Sequence, residues 1–368
     1  METTSTVRPL SRGPSVGRAG LVLGGASLAL VVAMAIGLSL GSVDVGLPQA
    51  VALIARWLGL EVSGPQAGTA AATILFEVRL PRVLAGAVVG AGLGCAGAVF
   101  QALLRNPMAD PYVIGSAAGA SLGAVLAIVA PVVLPGLALG AGSAWLGVGL
   151  AQVLAFAGGL GAVLLVLAVA GRAGRASVFS LLLTGYAVSS LLAAVVAVLI
   201  VASGRALTVV VGWLLGSLAG AGYLDLAVAA PLVVGGAVLL VARWRTLNVL
   251  LLGDDAATAL GVDLDRERRE LVLLATLLTS AAVALGGTIG FVGLVVPHLL
   301  RLLIGPDHRL LVPASALGGA TLLVLADAGA RLAGGLPVGV VTALLGAPFF
   351  LWLLRRAATG PELGRQTL

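Results

Sequence analysis

Long apolar stretches separated by short polar segments run through almost the whole chain. A helix needs about 20 apolar residues to cross the hydrocarbon core of a membrane. The candidate spans are residues 20–42, 83–104, 112–134, 145–170, 178–202, 224–242, 271–288, 289–304, 310–331 and 336–354. Residues 271–304 are too long for one ordinary helix, and four glycines between 286 and 293 favour a break there. The apolar segment 206–221 is shorter, and we expect it to lie along the outer surface or to re-enter the membrane.

The arginine positions predict how these spans are oriented. Cytoplasmic loops of membrane proteins carry an excess of basic residues. With ten spans and a cytoplasmic amino terminus, all but five of the 21 basic residues face the cytoplasm. The five on the outer side are Arg56, Arg79, Arg82, Arg205 and Arg331. Treating 271–304 as one span would move the arginines at the carboxyl terminus to the outer side, against this rule.

These patterns predict an all-α integral membrane protein with ten transmembrane helices and both termini in the cytoplasm. The composition agrees, because 60% of the residues are hydrophobic and only 10% are charged, whereas a soluble domain has about 25% charged residues. Residues 1–19 are predicted to be a disordered cytoplasmic tail, 20–356 a single transmembrane domain, and 357–368 a second cytoplasmic tail.

The basic residues also exclude some functions, because all 21 are arginine and the chain contains no lysine. The P-loop that cradles ATP phosphates ends in Gly-Lys-Ser/Thr, so the chain is not itself a P-loop ATPase. The arginines are scattered in ones and twos, which favours membrane orientation over nucleic-acid binding. A single cysteine, Cys95, excludes an internal disulfide. We expect no cofactor in this chain, and any ATP to be bound by a partner.

Residues 243–270 form the most charge-rich interval within the apolar chain. Gly253, two aspartates, a short alanine-rich run and a closing Gly261 follow in order, which predicts one helix of about two turns. The orientation places this loop in the cytoplasm.

Glycines recur every four residues on two predicted spans. They are Gly86, Gly90 and Gly94 on the second span and Gly115, Gly119 and Gly123 on the third. Small residues at this spacing let helix backbones approach closely in lipid.

Candidate chemistry inside the membrane is sparse. Asp327 and Arg331 lie four apart and are predicted to pair along one helix face. A carrier driven by an ion gradient stays open as a function, although such a carrier would be expected to bury several carboxylates. A membrane enzyme would need a recognisable catalytic set, which His298 with Asp327 does not supply. We predict no catalytic residue and no metal site.

Motifs along the chain, from about Phe76 to Arg356, resemble those of permease subunits of ABC importers for iron-siderophores, haem and cobalamin. They include Arg79-Leu-Pro-Arg82, the turn from Gln101 to Pro111, Gly115-Ser-Ala-Ala-Gly119, Leu181-Leu-Leu-Thr-Gly185, Trp213-Leu-Leu-Gly216-Ser217, Leu247-Asn248, Leu252-Gly253, Ala259-Leu-Gly261, Gly290-Phe-Val-Gly293-Leu-Val-Val-Pro297-His298, Leu336-Pro337-Val-Gly339 and Leu345-Gly-Ala-Pro348-Phe349-Phe350.

The resemblance implies a type II importer permease fold of ten helices, some of them short and broken. It implies a homodimer in a bacterial plasma membrane, with two cytoplasmic ATPase subunits and an extracytoplasmic substrate-binding protein. Arg79 and Arg331 match the positions that meet acidic residues of the binding protein. Lipid-headgroup anchoring is the alternative for the motif from Arg79 to Arg82.

The resemblance also implies a coupling contact with the ATPase and a cytoplasmic gate. The coupling residues are Asn248, Leu252, Gly253, Asp254, Asp255, Ala256, Ala257, Leu260 and Gly261. The gate residues are Asn106 and Met108 after the second span, and Ser177 and Val178 before the fifth, of which the second pair matches the family pattern less closely. The expected cargo is a ferric siderophore, with haem or cobalamin as alternatives.

Overall fold

The computed structural model describes residues 16–41, 46–57, 59–60, 69–133, 149–172 and 178–359, and this part is helical without β-strands. The helices are α1 Val16–Ser39, α2 Leu47–Trp57, α3 Thr69–Thr73, α4 Leu80–Leu103, α5 Ser116–Val133, α6 Leu150–Arg172, α7 Val178–Ala202, α8 Leu207–Leu214, α9 Tyr223–Ala242, α10 Trp244–Leu250, α11 Asp254–Ala259, α12 Leu264–Gly286, α13 Val292–Ile304, α14 His308–Leu332 and α15 Val338–Thr359. A π-helical segment, Ile74–Arg79, joins α3 to α4, and a 3₁₀ turn, Gly204–Ala206, precedes α8.

Eight helices in the described residues are long and apolar enough to cross a membrane. They are α1, α4 with the segment before it, α6, α7, α9, α12, α14 and α15. The predicted third and eighth spans are the shorter apolar helices α5 and α13. The multi-pass all-α fold is therefore confirmed, while the count of ten crossings stays a prediction. The segment 206–221 contains the short helix α8, and its depth in the membrane also stays a prediction.

Three predicted boundaries are wrong by several residues. Helix α1 starts at Val16, within the predicted tail, whose first 15 residues lie outside the described part. The second span starts near residue 70, because the π-helical segment continues the helix. Helix α12 starts at Leu264, before the predicted span, because the Asp263 side chain caps it by accepting a bond from the Arg266 amide. At the other end of the chain, residues 360–368 of the predicted second tail lie outside the described part.

The predicted break within 271–304 is confirmed. Helix α12 ends at Gly286, and α13 begins at Val292. Gly287 has φ 70°, and a side chain there would also collide with the Trp213 carbonyl. Glycine is the residue that tolerates both conditions.

Helix α4 lies at the centre of the bundle and packs against α9, α12, α13 and α14. Its Gly90 lies against the backbone of Gly319, and its Gly94 lies against Ser315, so a methyl group at either glycine would overlap a carbonyl of α14. On α5, Gly119 and Gly123 meet α6 in the same way. The close backbone approach predicted from the glycine spacing is confirmed for these two helix pairs.

Candidate coupling, gate and docking sites

The predicted helix of the charged interval is α11, Asp254–Ala259. Its flanking glycines have positive φ, 101° for Gly253 and 83° for Gly261, which explains why glycine brackets this helix. Both aspartates lie in the first turn, where the helix dipole favours negative charge. Helix α10 precedes it, and α12 follows it directly.

The predicted coupling residues divide between an exposed and an internal set. Leu252 and Leu260 are 64% and 63% exposed, which is unusual for leucines beside a charged loop. Asp255 and Gly261 are exposed as well. Ala257 is fully buried and anchors α11 to the rest of the protein. The exposed set is therefore the part of this segment that a partner can touch.

Asn248 has internal partners. Its Nδ2 donates to Asp307 Oδ1 at 2.8 Å, and its Oδ1 accepts from the His308 amide at 2.9 Å. Asp307 is the N-cap of α14, so this side chain ties α10 to the start of α14. In this conformation the Asn248 side chain connects the coupling segment to α14, and the ATPase contact implied by the resemblance stays a prediction.

Ion pairs fix the geometry of the charged interval. Arg243 at the end of α9 contacts Glu267 at 2.8 Å and Glu270 at 2.6 Å, and Arg266 contacts Glu270 at 2.9 Å. These pairs hold the first turns of α12 beside the end of α9, so the whole interval forms one structured unit.

Asp254 contacts two arginines that the sequence did not single out. Its Oδ1 lies 2.6 Å from Arg268 Nη2 and 3.0 Å from Arg105 Nη2. The hydrogen bond from Arg268 lowers the pKa of Asp254, and the charges of Arg268 and Arg105 act in the same direction. Because Arg105 belongs to the turn after α4, this carboxylate joins the coupling helix to the predicted gate.

The predicted tight turn after α4 is confirmed. The Asn106 amide donates to the Gln101 carbonyl and the Arg105 amide to the Ala102 carbonyl, each at 3.1 Å, which is a Schellman motif. The Met108 amide then donates to Asn106 Oδ1 at 2.9 Å. Both predicted gate residues of this turn are thus held in one rigid loop.

Of the second predicted gate pair, Val178 is the first residue of α7. Ser177 lies outside the described residues. The gate role of this pair therefore stays a prediction.

Farther along the turn, the Tyr112 amide donates to Asp110 Oδ1 at 2.8 Å. Burial raises the pKa of this carboxyl to about 6, because a charged carboxylate is poorly solvated there. The Tyr112 hydroxyl donates to the Ile289 carbonyl at 2.9 Å, which ties the turn to the break between α12 and α13.

Asp110→Asn should change the pH dependence of stability. A carboxyl with a raised pKa destabilises the folded state above that pKa, and the penalty is relieved as pH falls through it. Between pH 5 and pH 7 this carboxyl should cost the wild type about 1 kcal/mol of unfolding free energy, and the variant should not show that loss. Unfolding midpoints of both proteins in detergent across this range measure it, and parallel profiles would contradict it.

The two predicted docking arginines point into the protein. Arg79 is 4% exposed, and its Nη1 donates to the carbonyls of Leu38 at 2.8 Å and Ser39 at 2.9 Å. Arg331 donates to the carbonyls of Leu40 at 2.8 Å and Gly37 at 2.7 Å. A helix leaves its last carbonyls without partners, so these cations cap the end of α1. Both cations bind carbonyls of α1 in this conformation, and their docking role stays a prediction.

Arg82 and Asp327 form a bidentate ion pair at this end of the bundle. Arg82 Nε lies 2.9 Å and 3.0 Å from the two carboxylate oxygens, and its Nη2 lies 2.8 Å from Oδ1. The predicted pair of Asp327 and Arg331 is confirmed, with Nε 3.2 Å from Oδ2. The cluster links α4 to α14, a connection that the sequence spacing did not indicate. Among the described residues no group of three His, Cys, Asp or Glu side chains is arranged to hold a metal ion.

Arg79→Ala should destabilise the permease in the absence of any binding protein. The substitution removes two charged hydrogen bonds from the end of α1, and a cation in a partly buried position at a helix end contributes up to about 2 kcal/mol. A lower unfolding midpoint of the purified chain in detergent is the expected result, with exposed Arg205→Ala as the control. A midpoint equal to that of the control would show that the cap is unimportant.

Comparisons with known proteins identify the family. The model of the FecCD transport family matches residues 29–356. The chain is 46% identical over 318 residues to the cobalamin import system permease protein BtuC of Halobacterium salinarum, covering 84% of this chain and 80% of that protein. It is 41% identical over 287 residues to the hemin transport system permease protein HmuU of Yersinia pestis, covering 77% of this chain and 83% of that protein.

A solved structure supports the same assignment. It is described as an inward-facing conformation of a protein assigned to the metal-chelate type of ABC transporter. It superposes with a TM-score of 0.75 at 31% identity, covering 91% of this chain and 99% of that chain. The chain therefore belongs to the FecCD transport family and is a membrane permease subunit of an ABC importer, not a catalytic subunit.

Proposed function

We propose that this chain forms the translocation path of an ATP-driven importer for a metal chelate, and that the chelate is a cobalamin. The observation behind this proposal is the exposed surface around α11, formed by Leu252, Asp255 and Leu260. We infer that the ATPase subunit contacts the chain at this surface. The chain has no lysine for a P-loop, so the ATP must be bound by a partner subunit.

The chemistry of α11 fits an ATPase contact. Leu252 and Leu260 are exposed beside a network of arginines, aspartates and glutamates, which is a polar setting rather than a lipid-facing one. Exposed apolar side chains with a polar rim are typical of protein–protein contacts. The buried Ala257 and the internally bonded Asn248 then hold this contact surface in place.

Leu252→Ala combined with Leu260→Ala tests the contact. Central apolar anchors of an interface each contribute enough that their joint loss weakens binding by about tenfold or more. We expect the ATPase subunit to stop co-purifying and uptake to fall in proportion. Leu302→Ala with Leu303→Ala is the matched control, because these leucines are at least as exposed but lie on α13. Retention of the ATPase by the first variant would contradict the assignment.

The cargo proposal is supported by the names of relatives. The permease of Halobacterium salinarum at 46% identity is named for cobalamin, and that of Vibrio cholerae at 44% identity is named for vitamin B12. Relatives at 41% and 38% are named for hemin and Fe(3+) dicitrate, so an iron chelate is the second candidate. The two names at higher identity therefore favour cobalamin over the ferric siderophore implied by the resemblance.

A competition experiment distinguishes these cargoes. Cells that produce the importer with its own binding protein are given radiolabelled cyanocobalamin, and unlabelled cyanocobalamin, haem or a ferric siderophore is added in excess. We expect only cyanocobalamin to compete. Uptake of labelled haem or ferric siderophore without uptake of cobalamin would overturn the cargo proposal while leaving the importer assignment intact.

The homodimer, the cytoplasmic termini and the outer docking site belong to the same proposal. Helix α7 leaves large apolar side chains exposed along its length, including Phe179, Tyr186 and Val201, which suits a path or a subunit contact. Docking of a binding protein would take place at the outer ends of α4 and α14. Arg79 and Arg331 would have to release the carbonyls of α1 in order to take part.

A further inference from the structure

The turn after α4 has an arginine where glycine is usually found. Arg105 occupies the C′ position of the Schellman motif, with φ 47°. Glycine is favoured at this position because a Cβ is strained in the left-handed region. An arginine there indicates that its side chain has a use that outweighs the backbone preference.

That side chain reaches the coupling helix. Arg105 Nη2 lies 3.0 Å from Asp254 Oδ1, and its guanidinium packs beside Gly253, the residue that precedes α11. The same carboxylate oxygen lies 2.6 Å from Arg268 Nη2 at the start of α12. One oxygen of the coupling helix thus joins two separate elements.

The two arginines are not equivalent. The side chain of Arg268 is 10% exposed, whereas that of Arg105 is 42% exposed. Water and salt weaken an exposed ion pair much more than a buried one. Arg268 therefore fixes Asp254 in place, and the pair with Arg105 is the contact that can break and form again.

We propose that the Arg105–Asp254 pair is the tether that transmits movement of α11 to the cytoplasmic gate. Asn106 follows Arg105 directly, and the Met108 amide donates to its side chain, so a pull on Arg105 moves both. Arg105 is thus a positioning residue that acts through the gate turn. This inference rests on the proposed function, in which α11 receives the movement of the ATPase.

Arg105→Gly tests the ion pair without disturbing the backbone of the turn. The variant removes the side chain but has the residue that the left-handed backbone prefers, so the permease should be at least as thermally stable as wild type. In liposomes containing the complex with its own ATPase and binding protein, ATP hydrolysis and cargo uptake are measured together. Cargo imported per ATP should fall about 1.5-fold to fivefold, the range expected from losing an exposed ion pair. Exposed Arg269→Ala, in the first turns of α12, is the matched control.

A second readout follows the gate itself. Cys95, the only cysteine, is buried, so Met108→Cys can be labelled selectively with a maleimide in inside-out vesicles. Addition of ATP with vanadate should change the labelling rate in an otherwise wild-type chain, and Arg105→Gly should abolish the change. Arg105→Lys, which keeps the cation, should restore part of it.

Unchanged import per ATP and unchanged labelling in Arg105→Gly would overturn the tether. Failure of the proposed function looks different, because the wild-type complex itself would then show no uptake that depends on ATP.

Discussion

Asp327→Ala is expected to lower the free energy of unfolding by about 3–5 kcal/mol, the cost of removing one partner from a buried ion pair. Asp327 is 1% exposed, and both of its partners, Arg82 and Arg331, are largely buried. Without the carboxylate, two cations would face each other in a site from which water is largely excluded. The measurement is the unfolding midpoint of the purified chain in mild detergent.

Two further variants sharpen this prediction. Asp327→Asn keeps the shape of the side chain but loses the charge, and should be destabilised by a smaller amount than the alanine variant. Asp265→Ala removes an exposed carboxylate from the first turn of α12 and should have little effect. Equal midpoints for Asp327→Ala and Asp265→Ala would show that the cluster contributes nothing to the bundle.

Gly158→Leu is expected to destabilise the bundle by about 3 kcal/mol, the upper range for overpacking a close contact. Gly158 lies against the backbone of Gly119, and any Cβ there would overlap a carbonyl of α5. Because the neighbour is backbone and not a flexible side chain, α5 and α6 would have to separate. Loss of folded protein from the membrane fraction and a lower unfolding midpoint are the expected signs.

Gly161→Leu on the same helix is the matched control. No atom lies within 4 Å of a Cβ built on Gly161, and leucine has a higher helix propensity than glycine. This variant should be as stable as wild type or more so. Similar losses for the two variants would mean that the close approach of α5 and α6 does not explain the effect.

The sequence predicts most of the helices but not where they end. An apolar run shows which part of a helix lies inside the membrane. The helix itself extends further, as far as its backbone hydrogen bonds continue. Helix α12 shows the difference, since the apolar pattern assigns its charged first turns to a loop. By contrast, the glycines around α11 and the break after Gly286 are predictable, because they require backbone conformations that other residues avoid.

Contacts between distant parts of the chain are not predictable in this way. Asp327 and Arg331 are one helical turn apart, so their pairing follows from spacing. Arg82 is 245 residues away from Asp327, and no local pattern connects them. The arginine rule predicts an outer position for Arg79, yet only the packing of α1 against α4 and α14 shows that its cation is occupied.

Local patterns are also easier to predict than distant contacts in the candidate site. The exposed leucines and the two glycines of the coupling segment lie within one short stretch and are recognisable from the motif. Arg105 and Arg268 are not, because their roles depend on a carboxylate of α11 that two other elements approach.

We expect this chain to import its cargo only with energy from ATP hydrolysed by a partner. The decisive measurement is cargo uptake into liposomes that hold the chain, its ATPase and its binding protein, with ATP on the cytoplasmic side. We predict uptake that requires hydrolysable ATP, stops with vanadate and is indifferent to an imposed proton gradient. Uptake that continues without ATP while the proton gradient is held would instead show a carrier driven by an ion gradient.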